Sequence, residues 1–186
     1  MVCIVLFWRF RVSMALKLAD EIKKAMAFPA PISSYPYAIE KQWIDYNGHF
    51  NMAYYNVLFD RDSDVALTSL GLGPGYVKRT GNSYFTLESH VSYLRELHME
   101  DKVIIDLQVL DFDAKRLHYV QSMRHAVKGW IASVSECIVI HVNLVAKKSS
   151  VMPPDVLAMV QQAHEAHKAL PIPSQVGHKI GISRKT

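Results

Sequence analysis

Apolar residues first recur at helical spacing at Ala15, Leu18, Ala19, Ile22, Ala25 and Met26, with Lys17, Asp20, Glu21, Lys23 and Lys24 between them. That period predicts a short amphipathic helix. Pro29, Pro31 and Pro36 then interrupt it and mark a linker. Tyr37 to Ile44 alternates weakly and reads as a strand. The run AYYNVLFDRDSDVALTSLGLG is too long for a strand. Tyr54, Val57, Leu58, Val65 and Leu70 give it an apolar face, and it closes on Gly71 and Gly73, as helix C-termini do. Asp60, Arg61, Asp62 and Asp64 form a charged band in its middle, expected to be solvated or ion-paired. Four strand-like runs follow: Ser83 to Leu97, Lys102 to Phe112, Arg116 to Val127 and Trp130 to Val145. DFDAK and VKG between them read as tight turns. Pro153-Pro154 then opens a last helix through Lys168.

This order is strand, long helix, then an antiparallel meander. It predicts an α+β fold with the helix segregated to one face of a sheet of about five strands. A chain of 186 residues suggests one domain. Residues 1–34 are expected to be an N-terminal extension carrying the short helix, 35–152 the domain, and 153–186 a C-terminal helix and loose tail. Val2 to Trp8 is an apolar run of seven, too short to span a bilayer. Its arginines, Arg9 and Arg11, follow the run, whereas a secretory signal has its positive charge in front. Cys3 and Cys137 do not make a disulfide framework, so a reducing, cytoplasmic setting is expected. The net charge of +4 is scattered, which argues against nucleic acid and remains compatible with an anionic small molecule.

The chemistry concentrates in DYNGHFN, residues 45 to 51. Asn47-Gly48 is a strong hairpin signal, but the helical run behind it favours a strand-to-helix corner. A helix start exposes unpaired N–H groups and a positive dipole end. Asn51 suits its N-cap, and Gly48 lets the chain turn. Asp45 would stand beside those amides as nucleophile or general base, which is the arrangement acyl transfer needs. A thioester suits so sparse a site, because a thiolate with a pKa of about 8.5 leaves with little acid help. No Gly-x-Ser-x-Gly motif is present.

DYNGHFNMAYY resembles the Asp-x-Asn-Gly-His-x-Asn signature of hotdog-fold acyl-CoA thioesterases of the 4-hydroxybenzoyl-CoA type. SHVSYLRELHMED is similar to that family's next strand, with Tyr93, Arg95 and Asp101 in place. Together with KRLHYVQSMRHA and IVIHVNLVAKKS, the set is closest to the branch that accompanies or is fused to carnitine dehydrogenase and acts on betainyl-CoA. The resemblance runs from about Trp43 to Pro153. It implies a hotdog domain that assembles as a homodimer or tetramer and has no cofactor apart from the CoA of its substrate. It puts the catalytic carboxylate at Asp45 and the carbonyl-polarising amide near Met52. Functional association with carnitine dehydrogenase also follows from it. Trp43 stands where many relatives have a second Asp, and Glu100 where many have Gly.

A betainyl group is a quaternary cation, which aromatic faces and a carboxylate can hold. The candidates for this role are Trp43, Tyr46, Tyr54 and Glu88, with His90 on the same strand. His49 either orients Asp45 or fixes the turn. His118 and His141 read as satisfied strand histidines. His164 and His167 lack a third ligand, so a surface role is expected and no metal site. Lys147 and Lys148 are candidates for CoA phosphates. Two rivals to hydrolysis are a hotdog hydratase or dehydratase using Asp45 with His49, and a non-catalytic binder of a quaternary ammonium or acyl ligand.

Overall fold

The computed structural model describes residues 28–182. The amphipathic helix expected before Pro29, and the apolar run ahead of it, lie outside these residues. Two short strands, β1 (Ile32–Ser33) and β2 (Tyr37–Ala38), lead through a 3-10 turn (Lys41–Trp43) to helix α1 (Met52–Thr68). A short helix α2 (Pro74–Thr80) follows. The long strands are β3 (Asn82–Tyr93), β4 (Lys102–Phe112), β5 (Arg116–His125) and β6 (Ile131–Asn143); β7 (Lys148–Ser149) and helix α3 (Pro154–His167) complete the order. The sheet runs β1-β4-β5-β6-β3, with β2 also on β4 and β7 on β6. Every pairing is antiparallel. The expected long helix against an antiparallel sheet is present, but the four long strands are not one meander: only β4, β5 and β6 follow one another, and β3 pairs with β6 at the far edge instead of with β4.

Strand alternation explains which face the helix takes. Val103, Ile105, Leu107 and Val109 of β4 and Leu117, Tyr119 and Met123 of β5 are buried with the apolar positions of α1. Two core clusters sit along that helix. One, around Tyr55, Leu58 and Phe59, holds Trp43, Phe50 and Leu97 at the helix start. The other, around Ala66, Leu67 and Leu70, is closed by Val156, Val160 and Ala163 of α3.

Several expectations are corrected. Tyr37 to Ile44 is not one strand: it joins the sheet at Tyr37–Ala38, turns at Lys41–Trp43 and makes a single bridge at Ile44. Ile32 and Ser33, assigned to the extension, pair with Leu107 and Asp106, so the sheet begins before residue 35. Residues 170–177 are not a free tail. The Leu170 carbonyl meets Gln108 Nε2 at 3.4 Å, and the Gly177 amide donates to Glu136 Oε2 at 2.7 Å, laying the segment over the outer sheet face. His167 is 0% exposed rather than on the surface. Its Nδ1 accepts the Val109 N–H at 2.8 Å and its Nε2 meets the Pro29 carbonyl at 2.7 Å. Burial lowers its pKa, against the opposing bond to Pro29. His164 Nε2 reaches the Leu110 carbonyl at 3.1 Å, so both helix histidines serve packing.

The charged band of α1 also divides. Asp62 is 1% exposed, and Gln121 Nε2 donates to its Oδ2 at 2.9 Å. Burial pushes the Asp62 carboxyl up to about 7 from 3.8; the Gln121 bond opposes this and the Asp106 charge adds to it. The folded chain therefore holds a proton between those values that the unfolded chain has released, so folding stability falls as pH rises through that window. Asp62→Asn keeps an acceptor for Gln121 without the charge. It is expected to match the wild type near pH 4 and to exceed it by roughly 1–3 kcal/mol at pH 8, measured by urea unfolding at both values.

Candidate active site

The corner at residues 44 to 51 combines both readings of its sequence. Ile44 and Phe50 form one antiparallel bridge, so the Asn47-Gly48 step does close a minimal hairpin. The Asp45 N–H donates to the His49 carbonyl at 2.9 Å, and the Gly48 N–H to the Asp45 carbonyl at 3.0 Å. Gly48 takes a φ of 79°, a left-handed geometry that glycine adopts at no steric cost. The chain then passes directly into α1. The expected strand-to-helix corner is thus a one-bridge hairpin followed by a helix.

Asp45 is half-buried at the head of this turn. Its Oδ1 accepts the amides of Asn47 at 2.8 Å and, more weakly, His49 at 3.4 Å. Among the described residues no donor reaches Oδ2. One oxygen orients the carboxylate and the other is left for chemistry. Asn51 is the N-cap: its side chain accepts the Ala53 N–H at 2.9 Å, and its own N–H donates to the Trp43 carbonyl at 2.9 Å. The Met52 N–H, at the first helical position, has no acceptor among the described residues. An oriented carboxylate and a free amide at a helix start therefore belong to one continuous turn.

The His49 ring faces away from this pair. Its Nε2 lies 3.3 Å from Glu96 Oε2, and its ring packs edge-on to His98 at 5.3 Å. Its main chain holds the Asp45 turn, which favours the turn-fixing alternative. Tyr93, at the end of β3, meets the first turn of α1: its hydroxyl donates to the Met52 carbonyl at 3.3 Å and accepts from Asn56 Nδ2 at 3.1 Å. At the other end of β3, the Tyr84 hydroxyl donates to Asp64 Oδ1 at 2.8 Å. Burial, then that hydrogen bond, raises the Tyr84 pKa. These two tyrosines align α1 antiparallel to β3. Between helix and strand runs a cleft of about 720 Å³ bordered by Asp60, Ser63, Asp64, Tyr84 and Thr86. A narrower continuation of about 210 Å³ reaches Asn56, Ser89 and Cys137.

The substrate-binding candidates are not gathered into one cage. Trp43 is 6% exposed, stacked on Tyr54 at 5.9 Å, with the Arg61 guanidinium 5.8 Å from its ring centroid. Its face already holds a cation of the same chain. Tyr46 is 98% exposed. Glu88 and His90 lie with His118, Glu136 and the 177–180 segment on the outer sheet face. A bulge between Thr86 and Glu88 leaves Thr86 and Ser89 towards α1, and alternation sends Glu88 and His90 the other way. Lys147 and Lys148 stand beyond the Asn143–Asn82 end of the β6–β3 pair, opposite the Tyr93 end. Asn56, Asp60 and Asp64, spaced four residues apart, lie on the β3 side of α1 and were not singled out in the sequence; Asp60, Arg61 and Asp64 are exposed, as expected of a solvated band, and only Asp62 departs from it. Glu100 has a φ of 70°, which explains why a glycine suits that position.

An antiparallel sheet with one long helix on its face is the hotdog arrangement, here with a carboxylate turn at the helix start. Residues 39–160 match the model of the thioesterase-like superfamily. The chain is 34% identical over 151 residues to a betainyl-CoA thioesterase of Pseudomonas aeruginosa, covering 81% of this chain and 95% of that one. It is 31% identical to an L-carnitine dehydrogenase/betainyl-CoA thioesterase of Rhizobium meliloti, covering 87% of this chain and 32% of the longer protein. A Staphylococcus aureus protein solved in complex with CoA superposes with a TM-score of 0.79 at 27% identity, covering 85% and 98% of the two chains. The chain belongs to the thioesterase-like superfamily and is a thioesterase by class. Among the described residues no helix is long and apolar enough to cross a membrane.

Asn51→Ala removes the cap that sets the helix start. It is expected to cost about 1 kcal/mol of folding stability and to lower thioesterase kcat more than it raises KM, as read by thermal unfolding and steady-state kinetics.

Proposed function

We propose that this protein hydrolyses betainyl-CoA to betaine and CoA, with Asp45 as nucleophile or general base and the Met52 N–H as the oxyanion donor. The observation that carries this reading is the single turn that orients Asp45 through Oδ1 and leaves Oδ2 and the Met52 N–H free. Attack on a thioester carbonyl puts negative charge on its oxygen. A helix-start amide and dipole stabilise that charge where it develops. The thiolate then departs without a dedicated acid.

The quaternary nitrogen of a betainyl group sits two bonds from the carbonyl carbon, so it stays within the first turn of α1. Asn56 and Tyr93 border that space. Asp60 and Asp64 stand one and two turns further along, where their charges act as a field rather than as direct contacts. This arrangement favours a cationic acyl group without needing Trp43. The names of the P. aeruginosa and R. meliloti relatives support the same substrate.

The exposed edge of β3 supports a homodimer. The strand is twelve residues long, among the described residues pairs only with β6, and presents Phe85, Leu87 and Tyr93 to solvent. So long an unpaired edge is stabilised by pairing with a second copy. The partner would wall the α1–β3 cleft.

Asp45→Asn is expected to lower kcat on betainyl-CoA by about two to four orders of magnitude with the fold intact, measured by thiol release; wild-type rates would sink the mechanism. Asp60→Asn is expected to raise KM for betainyl-CoA several-fold and leave a neutral short-chain acyl-CoA unchanged. Equal effects on both substrates would remove the field argument. Leu87→Asp is expected to convert a dimer to a monomer by light scattering coupled to gel filtration.

A further inference from the structure

We propose that His49, Glu96 and His98 form a binding site for a divalent transition-metal ion on the loop that carries Asp45. Each offers one ligand atom, and these atoms lie within 4.8 Å of one another. His49 Nε2 and Glu96 Oε2 are already 3.3 Å apart, about the separation of two ligands on one tetrahedral zinc with bonds near 2.1 Å. The third ligand needs only a side-chain rotation, since Glu96 and His98 are exposed and His49 is half-buried.

The backbone prepares this meeting. Leu97 is fully buried in the core. In an extended segment its two neighbours therefore project together to the outside, which aims Glu96 and His98 the same way. The Phe50 N–H donates to the Leu97 carbonyl at 2.7 Å, joining the two ligand-bearing segments one residue from His49. Asp101 stands behind His98: its Oδ2 accepts the His98 N–H at 3.0 Å and lies 3.9 Å from His98 Nδ1. Its Oδ1 lies 3.3 Å from His125 Nε2. At 3.9 Å Asp101 makes no hydrogen bond to the His98 ring; it holds the His98 main chain and leaves the imidazole free to turn.

Two imidazoles and one carboxylate form a borderline donor set, suited to Zn²⁺, Ni²⁺ or Cu²⁺ more than to Mg²⁺ or Ca²⁺. Three protein ligands leave a fourth position open. No step of thioester cleavage needs the ion. Its effect is mechanical: it ties the Asp45 turn, which the His49 N–H helps to hold, to the β3–β4 connection.

The test uses full-length, chelator-stripped protein without an affinity tag. Zinc and nickel binding are measured by calorimetry, and melting temperature is read with and without Zn²⁺. One ion per chain and a higher melting temperature are expected for the wild type. Glu96→Gln and His98→Ala are each expected to weaken binding by about tenfold or more and to abolish the thermal shift. His178→Ala should behave as wild type. Imidazole NMR should show His49 and His98, not His90, changing on zinc addition. Absence of zinc binding by the wild type, equal affinity in both ligand variants, or imidazole changes confined to other histidines would each overturn the site.

Discussion

The start of α1 is the constraint on which the rest depends. A helix leaves its first amides without partners, and here the loss is divided. Asn51 satisfies Ala53, while Met52 keeps its N–H for something outside the helix. The same Asn51 donates to the Trp43 carbonyl, which fixes how the preceding turn meets the helix. Asp45 rides on that turn, oriented by two amides it accepts from. Asp45 and the Met52 amide lie within eight residues joined by short-range bonds that main-chain amides donate, and Phe50 and Trp43 anchor the segment in the core.

The second requirement is a place for the acyl group and for CoA beside that corner. Tyr93 and Tyr84 hold the two ends of β3 against α1, beside a cleft whose helix wall carries Asp60 and Asp64 and whose far rim carries Lys78. An acidic wall repels anionic acyl groups and attracts cationic ones over several ångströms, even where no carboxylate touches the ligand. Trp43, with Arg61 over its ring, does the opposite of caging a substrate cation. Discrimination would then come from the field along the helix, and turnover from the corner at its start.

The fold was legible because the long periodic segments carry it. The β4 limits match Lys102–Phe112, and α3 falls within a residue of its expected ends, since Pro153-Pro154 and the apolar period both mark it. The corner that joins Asp45, Asn51 and Met52 was legible because local backbone bonds shape it. The failures are long-range. Nothing near Asp62 announces that Gln121, 59 residues away, will receive it in the core. His167 reads as a surface residue until β4 and Pro29 close around it. Glu88 and His90 were grouped with Trp43 because strand phase cannot be read across a bulge, and the bulge at Thr86/Glu88 decides the face. Glu96 and His98 sit in an irregular connection, where spacing alone does not reveal that His49 will face them.

The most direct measurement is a crystal structure with a non-hydrolysable betainyl-CoA analogue, in which a methylene replaces the thioester sulfur. The expected result puts the carbonyl oxygen within hydrogen-bond distance of the Met52 N–H, with its carbon facing Asp45 Oδ2. A carbonyl seated on the outer sheet face, by Glu88 and His90, or anywhere that leaves the Met52 amide unengaged, would contradict the account.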